Sequence, residues 1–168
     1  MLTQRRELLR QVLSDKHVRD GQVVYSLSSS GYHDLSNPED LLRHRAYFGK
    51  ELPFAHDGLL DDYFARNAAR HPFVELYGTM AMLDIRSGEE ICAAAGGTAD
   101  FWPAFRRAFP RSWGAMSLSA PGFSPDGSQA LLYIGQTTGD LSGEGECYFY
   151  TRKEATWTRA GAVGIWVS

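Results

Sequence analysis

Up to residue 72 the apolar side chains recur three and four positions apart, whereas from residue 73 they mostly alternate with polar ones. Helices are therefore expected first and strands after, a segregated order that predicts an α+β fold with N-terminal helices packed on a C-terminal antiparallel β-meander, with room for a curved sheet. Leu8, Leu9, Val12 and Leu13 mark a first helix with Thr3 as its N-cap and Arg5, Arg6 and Arg10 toward solvent. Ser36-Asn37-Pro38-Glu39-Asp40 reads as the start of a second, with a capping residue, proline in the first turn and acids against the positive end of the dipole, ending near Gly49. A third runs from Asp57 to Arg70 on the stripe Leu59, Leu60, Tyr63 and Phe64, and His71-Pro72 closes it because the residue before proline avoids the helical region.

Val74 to Ile85 alternates and predicts a strand interrupted at Gly78. Phe101, Trp102, Phe105 and Phe109 predict a short aromatic-faced helix near 100–109, with Thr98 or Asp100 as cap. Four strands are expected beyond it: Ala115–Ser119, Gln129–Gln136, Gly145–Arg152 and Ala162–Ser168, with Ser124-Pro125-Asp126-Gly127 as a type I turn.

With 168 residues the chain is expected to form one domain, 1–168, mainly helical over 1–72 and mainly strands over 73–168, large enough to need no disulfide or metal to supply a core. The formal charge is −3, from 17 Lys and Arg against 20 Asp and Glu, which disfavours a nucleic-acid partner because little excess positive charge exists to meet phosphates. The first twenty residues hold no apolar run of signal-peptide length and no window is apolar enough to span a bilayer, so a cytoplasmic chain without a membrane partner is expected. Cys92 and Cys147 have neither redox nor zinc spacing and are expected as buried or half-buried free thiols.

The motifs that carry familiar chemistries are incomplete. Gly143-Glu144-Gly145 has Tyr148 where a dinucleotide fingerprint needs its third glycine, and Gly49-Lys50 lacks the upstream glycine of a P-loop. A single Phe123-Ser124-Pro125-Asp126-Gly127 is a turn and not a propeller blade. His17, His33, His44, His56 and His71 never fall at a helical ligand interval, so no metal is expected, and no cofactor either. The adjacent acids Asp61-Asp62 and Glu89-Glu90 read as surface charge, and the four tryptophans as braces of a small sheet. Ser119 and Ser142 lack the nucleophile-elbow setting, so no catalytic residue is assigned.

Alternation within strands divides the meander into two sets. Met116, Leu118, Ala130, Leu132, Ile134, Cys147, Phe149, Val163, Ile165 and Val167 form an aliphatic set expected to face the helices. Ser117, Ser119, Gln129, Leu131, Tyr133, Glu146, Tyr148, Tyr150, Trp166 and Ser168 form the other, combining aromatic bodies with hydroxyl and carboxylate tips, as a ligand pocket does. The candidate ligand-binding residues are therefore Ser119, Tyr133, Glu146, Tyr148 and Trp166. The competing expectation is a half-solvated sheet face on which Tyr and Trp merely pack across strands. A binding module for a small ligand or a protein is expected over catalysis; the alternative is a small enzyme using Ser119 and Glu146.

From Phe101 onward the text Phe101-Trp102, Phe105, Phe109-Pro110, Ser112, Gly114, Ser119, Gly122-Phe123, Ala130, Tyr133, Gly143 with Gly145, Trp157 and Trp166-Val167-Ser168 resembles a family of uncharacterised bacterial proteins. Leu59-Leu60-Asp61-Asp62-Tyr63-Phe64 followed by Asn67 is similar to that family's upstream helix, while Ala120-Pro121 departs from its pattern of a basic residue and an aliphatic. The resemblance implies a shared fold and a bacterial origin and brings no activity, substrate or cofactor.

Overall fold

A computed structural model describes residues 1–31, 35–96 and 100–168; the suggested cap Thr98 and the histidine His33 lie outside the described residues. Among these, six helices accompany one seven-stranded sheet. The elements run α1 (Leu2–Asp15), β1 (Gln22–Tyr25), α2 (Pro38–Glu51), α3 (Asp57–Asn67), α4 (Phe73–Tyr77), β2 (Leu83–Arg86), α5 (Gly88–Ala94), α6 (Phe101–Ala108), β3 (Ala115–Leu118), β4 (Gly122–Phe123), β5 (Gln129–Gly139), β6 (Ser142–Lys153) and β7 (Thr156–Val167). The strand order is β2-β1-β3-β5-β6-β7, with β4 also on β5.

The α+β class holds, but the sheet is mixed and not a purely antiparallel meander. β1 pairs in parallel with both β2 and β3, and only β3 through β7 are antiparallel. The first correction is therefore β1 itself, an apolar strand inside the segment expected to be helical, too short for its pattern to stand out between longer helices. The second concerns 74–85. Phe73, Leu76 and Tyr77 are buried at helical spacing in α4, Gly78 ends it at φ +69°, and only the stretch after it is a strand. Five residues satisfy either periodicity, and burial against α1 decides in favour of the helix. α1 begins at Leu2, before the expected cap Thr3, and α3 ends at Asn67. α5 was not expected; a reciprocal capping box, Ser87 with Glu90, starts it.

Asn37 caps α2 as expected, accepting from the Glu39 and Asp40 amides. The Gly127 amide closes the predicted turn on the Ser124 carbonyl at 2.9 Å. Phe105 is fully buried with Trp102, Val23, Ile91 and Ala115, which seats α5 and α6 on β1 and β3.

Three packed clusters divide the sheet. On one face α1 and α4 cover Val24, Met116, Leu118, Ala130, Leu132 and Ile134. On the other, α2 and α3 cover Leu131, Tyr133, Cys147, Phe149 and Val163, while α5 and α6 cover only the β1 and β3 side. α3 is locked down by polar groups as well. Buried Asn67 donates to the Tyr63 and Ala120 carbonyls and accepts from the Ala120 amide, and Asp62 accepts from the Phe123 amide at 2.8 Å. A Cβ at Gly122 would stand 2.5 Å from that of Tyr63, so the close approach of α3 requires glycine there. Asp62 is thus a structural acceptor and not surface charge.

The two exposed edges of the sheet are blunted. β2 has four residues, and β7, although twelve long, carries two register shifts against β6, leaving Ile165 and Ala160 as extra residues. The Tyr47 hydroxyl reaches the Gly164 carbonyl on that edge at 3.4 Å.

Candidate functional site

The expected division of the sheet into faces holds within each strand and fails between strands. β5 and β6 leave their turn paired Gly139 to Ser142, but the next pairing is Thr137 to Gly143, so Thr138 is an extra residue. A one-residue slip sends every later side chain of one strand to the opposite face. Tyr133 consequently sits opposite Cys147, Leu132 opposite Tyr148, Ala130 opposite Tyr150 and Ile134 opposite Glu146. Glu146, Tyr148 and Tyr150 belong to the α1 face, and Cys147, Phe149 and Val163 to the α2–α3 face, the reverse of the expected grouping. The Thr138 carbonyl accepts from Arg106 at 3.0 Å, which ties the bulge to α6.

The five candidate residues therefore separate. On the α1 face the Tyr148 hydroxyl donates to Glu146, Lys16 pairs with Glu144 at 2.8 Å and approaches Glu146 at 3.7 Å, and Tyr150 donates to Asp15 at 2.7 Å. Burial, and then the Glu146 hydrogen bond, push the Tyr148 phenol far above its ordinary value. This network fastens the end of α1 to the sheet. Ser119 is fully buried; its hydroxyl accepts from the Tyr133 amide at 2.9 Å, and its carbonyl accepts from Tyr77 at 2.7 Å. Ser119 and Glu146 are not assembled into a pair, because the sheet stands between them.

Tyr133 and Trp166 do come together. The Trp166 Nε1 donates to the Tyr133 hydroxyl at 2.8 Å on the face opposite α1. Pairing across four strands sets Ser117, Gly135, Gly145 and Trp166 in one row, with two glycines in the middle. A Cβ at Gly145 would collide with the Trp166 indole, and one at Gly143 would stand 2.9 Å from its far edge, so the indole lies flat along β6. A Cβ at Gly135 would collide with the Tyr133 hydroxyl and stand 2.6 Å from the Ser117 Oγ. The paired glycines make a trough in an otherwise side-chain-covered sheet, and two rings occupy it.

This trough floors a cleft of about 630 Å³, open where α2–α3 coverage ends and α5–α6 coverage begins. Ser117, Thr137, Tyr133 and Trp166 line it from the sheet, joined by Tyr25, by Ser87, Gly88 and Glu89 at the start of α5, and by Ser26, Leu27, Ser29, Gly31 and Arg70. Burial, followed by the nearby Cys92, raises the Tyr25 phenol above its ordinary value. Cys92 is exposed, contrary to expectation, because the short helix α5 buries only Ile91, and Cys147 is buried. A second recess of about 470 Å³, lined by Ser28, Ser30, Ser36 and Asn67, shares Ser29, Gly31 and Arg70 with the cleft.

A larger groove, about 820 Å³, lies between α3 and the Ser124–Gly127 turn. Its charged groups are committed to one another: Arg66 to Asp62, Arg152 to Glu7, Asp61 to Arg45, and Asp126 to Ser124 and Ser128. The hydrogen bond from Ser124, then those from Ser128, hold the Asp126 carboxyl down at about 2. In the smaller cleft the opposite applies. Among the described residues the hydroxyls of Tyr25, Ser26, Ser117 and Thr137 make no hydrogen bond, and neither Arg70 nor Glu89 is in an ion pair.

No three His, Cys, Asp or Glu side chains among the described residues are grouped to hold a metal ion. No helix among them is long and apolar enough to cross a membrane. The cleft's hydroxyls and its two charges were missed by sequence reasoning, except Ser117, which falls in the aromatic set. The signal that could have found the site is glycine at the centre of two long strands, Gly135 and Gly145. Comparison of the chain with family models, curated proteins and solved structures gives no match.

Proposed function

We propose that the chain is a binding module whose cleft takes a small polar molecule without transforming it. The observation that carries this reading is the glycine trough: a sheet interior normally filled by side chains is left low at Gly135 and Gly145, and two rings lie in it as a flat floor. Apolar floor and unspent polar groups are the combination ligand sites use. The terminal Trp166 and the Gly143-x-Gly145 phrase, two parts of the C-terminal bacterial pattern, read on this view as one element, a ring and its seat.

The test is a thermal-shift screen of polar metabolites against wild type, Ser117→Leu and Glu146→Gln, with folding checked by circular dichroism. Leucine at 117 fills the floor, whereas Glu146 faces α1. Hits retained by Glu146→Gln and lost by Ser117→Leu, with no product seen by NMR, support the reading. Hits unchanged by Ser117→Leu overturn it, and turnover replaces the module with an enzyme.

A further inference from the structure

We infer that the serine-lined recess beside the cleft holds a tetrahedral oxyanion, phosphate or the phosphoryl group of a small ester, independently of what the cleft itself takes. The recess, about 470 Å³, is lined by Ser28, Ser29 and Ser30 from the loop after β1, by Ser36 ahead of α2, and by Asn67 and Arg70 from the end of α3 and the chain just beyond it. Its rim is fixed before any ligand arrives. The Ser28 amide donates to the His71 carbonyl and the His71 amide to the Ser28 Oγ, both at 2.8 Å, and the Ser29 amide donates to the Leu118 carbonyl at 2.8 Å. The serine loop is thereby stitched to the chain after α3 and to the end of β3, so little order has to be gained on binding.

The charge in the lining has one sign. Among the described residues no Asp or Glu lines the recess, and the exposed Arg70 guanidinium makes neither an ion pair nor a hydrogen bond. The C-terminal end of α3 carries the negative pole of its dipole and opposes an anion, but two of its carbonyls are already engaged. Asn67 donates to that of Tyr63, and the His71 Nε2 donates to that of Arg66 at 2.8 Å.

The donors left over choose the kind of anion. Ser28 is 5% exposed, and although its Oγ accepts from His71, its own O–H meets no acceptor among the described residues. The Ser30 hydroxyl makes no hydrogen bond among them either. One donor from Ser28, one from Ser30 and the parallel pair of the Arg70 fork exceed what the two coplanar oxygens of a carboxylate take singly. A phosphoryl group brings three outward oxygens, all strong acceptors. A neutral polyol would meet the hydroxyls and leave the guanidinium unpaired. The recess shares Ser29, Gly31 and Arg70 with the cleft, so the organic part of an ester has room to continue there.

The experiment is calorimetric titration at low salt and about pH 8, above the second phosphate ionisation, with sodium phosphate, sodium acetate and D-glucose 6-phosphate. It uses wild type, Arg70→Gln, Ser30→Ala and Ser117→Leu, with amide shifts followed by NMR. Phosphate is expected to bind about tenfold or more tightly than acetate, with the largest shifts at 28–30 and 67–70. Arg70→Gln should weaken phosphate about tenfold or more and Ser30→Ala about threefold to tenfold, both at the wild-type melting temperature, since neither side chain holds another part of the described fold. Ser117→Leu, in the cleft, should leave phosphate binding unchanged. Tighter binding of glucose 6-phosphate than of phosphate, lost in Ser117→Leu, supports the site with an ester as its ligand, and equal binding supports it with free phosphate. Absence of phosphate binding, acetate binding equally well, no loss in Arg70→Gln, or shifts centred elsewhere overturns the site.

Discussion

The indole N–H of Trp166 is bonded to the hydroxyl of Tyr133 at 2.8 Å, although the two residues stand on strands that do not pair with each other. β6 runs between them, and the contact crosses it because Gly145 offers no side chain in the way. Fold and site meet at this point: remove the glycine and the ring must lift off the sheet.

Gly145→Ala is accordingly expected to cost about 1–3 kcal/mol, the usual range for forcing an extra group into a packed site. Its near-UV circular dichroism should change with it. Gly164→Ala is the control, since nothing lies within 4 Å of a Cβ there, and it should stay within about 0.5 kcal/mol of wild type in urea melts. Equal losses in the two variants would contradict the trough.

Phe105→Ala removes a fully buried ring from the cluster that joins α5 and α6 to β1 and β3. A loss of about 3–5 kcal/mol is expected from burial and residual cavity together. Leu141→Ala, at a hairpin tip and 87% exposed, should change almost nothing. A small loss for Phe105 would mean that α6 is not seated as described.

Asn67→Ala leaves the Ala120 amide and carbonyl without their side-chain partner in a buried setting. About 2–3 kcal/mol should be lost by urea denaturation, since unmet buried polar groups keep their full desolvation cost. Hydrogen exchange at the Ala120 amide should accelerate in the same variant.

The two thiols should differ in the native state. Cys92 is exposed, while burial pushes the Cys147 thiol up to about 12. At about pH 8 a thiol-exchange reagent should titrate one group in the folded protein and two in denaturant. Two rapidly reacting native thiols would show that Cys147 is accessible.

Alkaline pH should destabilise the fold through the same group. The Cys147 thiol is raised by burial above its ordinary 9.0, and Tyr77 is raised above its ordinary 10.0 by burial as well. Folded values above the unfolded ones mean that the stabilisation is complete below about pH 9 and falls as the unfolded chain ionises above it. Urea midpoints should therefore decline steadily from about pH 9 toward 11. A flat profile would contradict the burial of both groups.

Local chemistry alone settles several elements, because the determining contacts lie within a few residues. Asn37 before Pro38 starts α2, Ser124-Pro125-Asp126-Gly127 turns, and the aromatic spacing from Phe101 makes α6, as their sequences predict. The alternation of β5 and β6 was legible too. Other features depend on pairings between distant segments. β1 gains its place in the sheet only by parallel bonds to β2 and β3, far along the chain. Which side chains share a face across a hairpin depends on register, and a single extra residue, Thr138, sends Glu146 and Tyr148 to the α1 face, away from Tyr133. Sequence alternation determines which residues of one strand point together; it carries no phase between strands, because that phase is set by bulges and by the helices that press on each face.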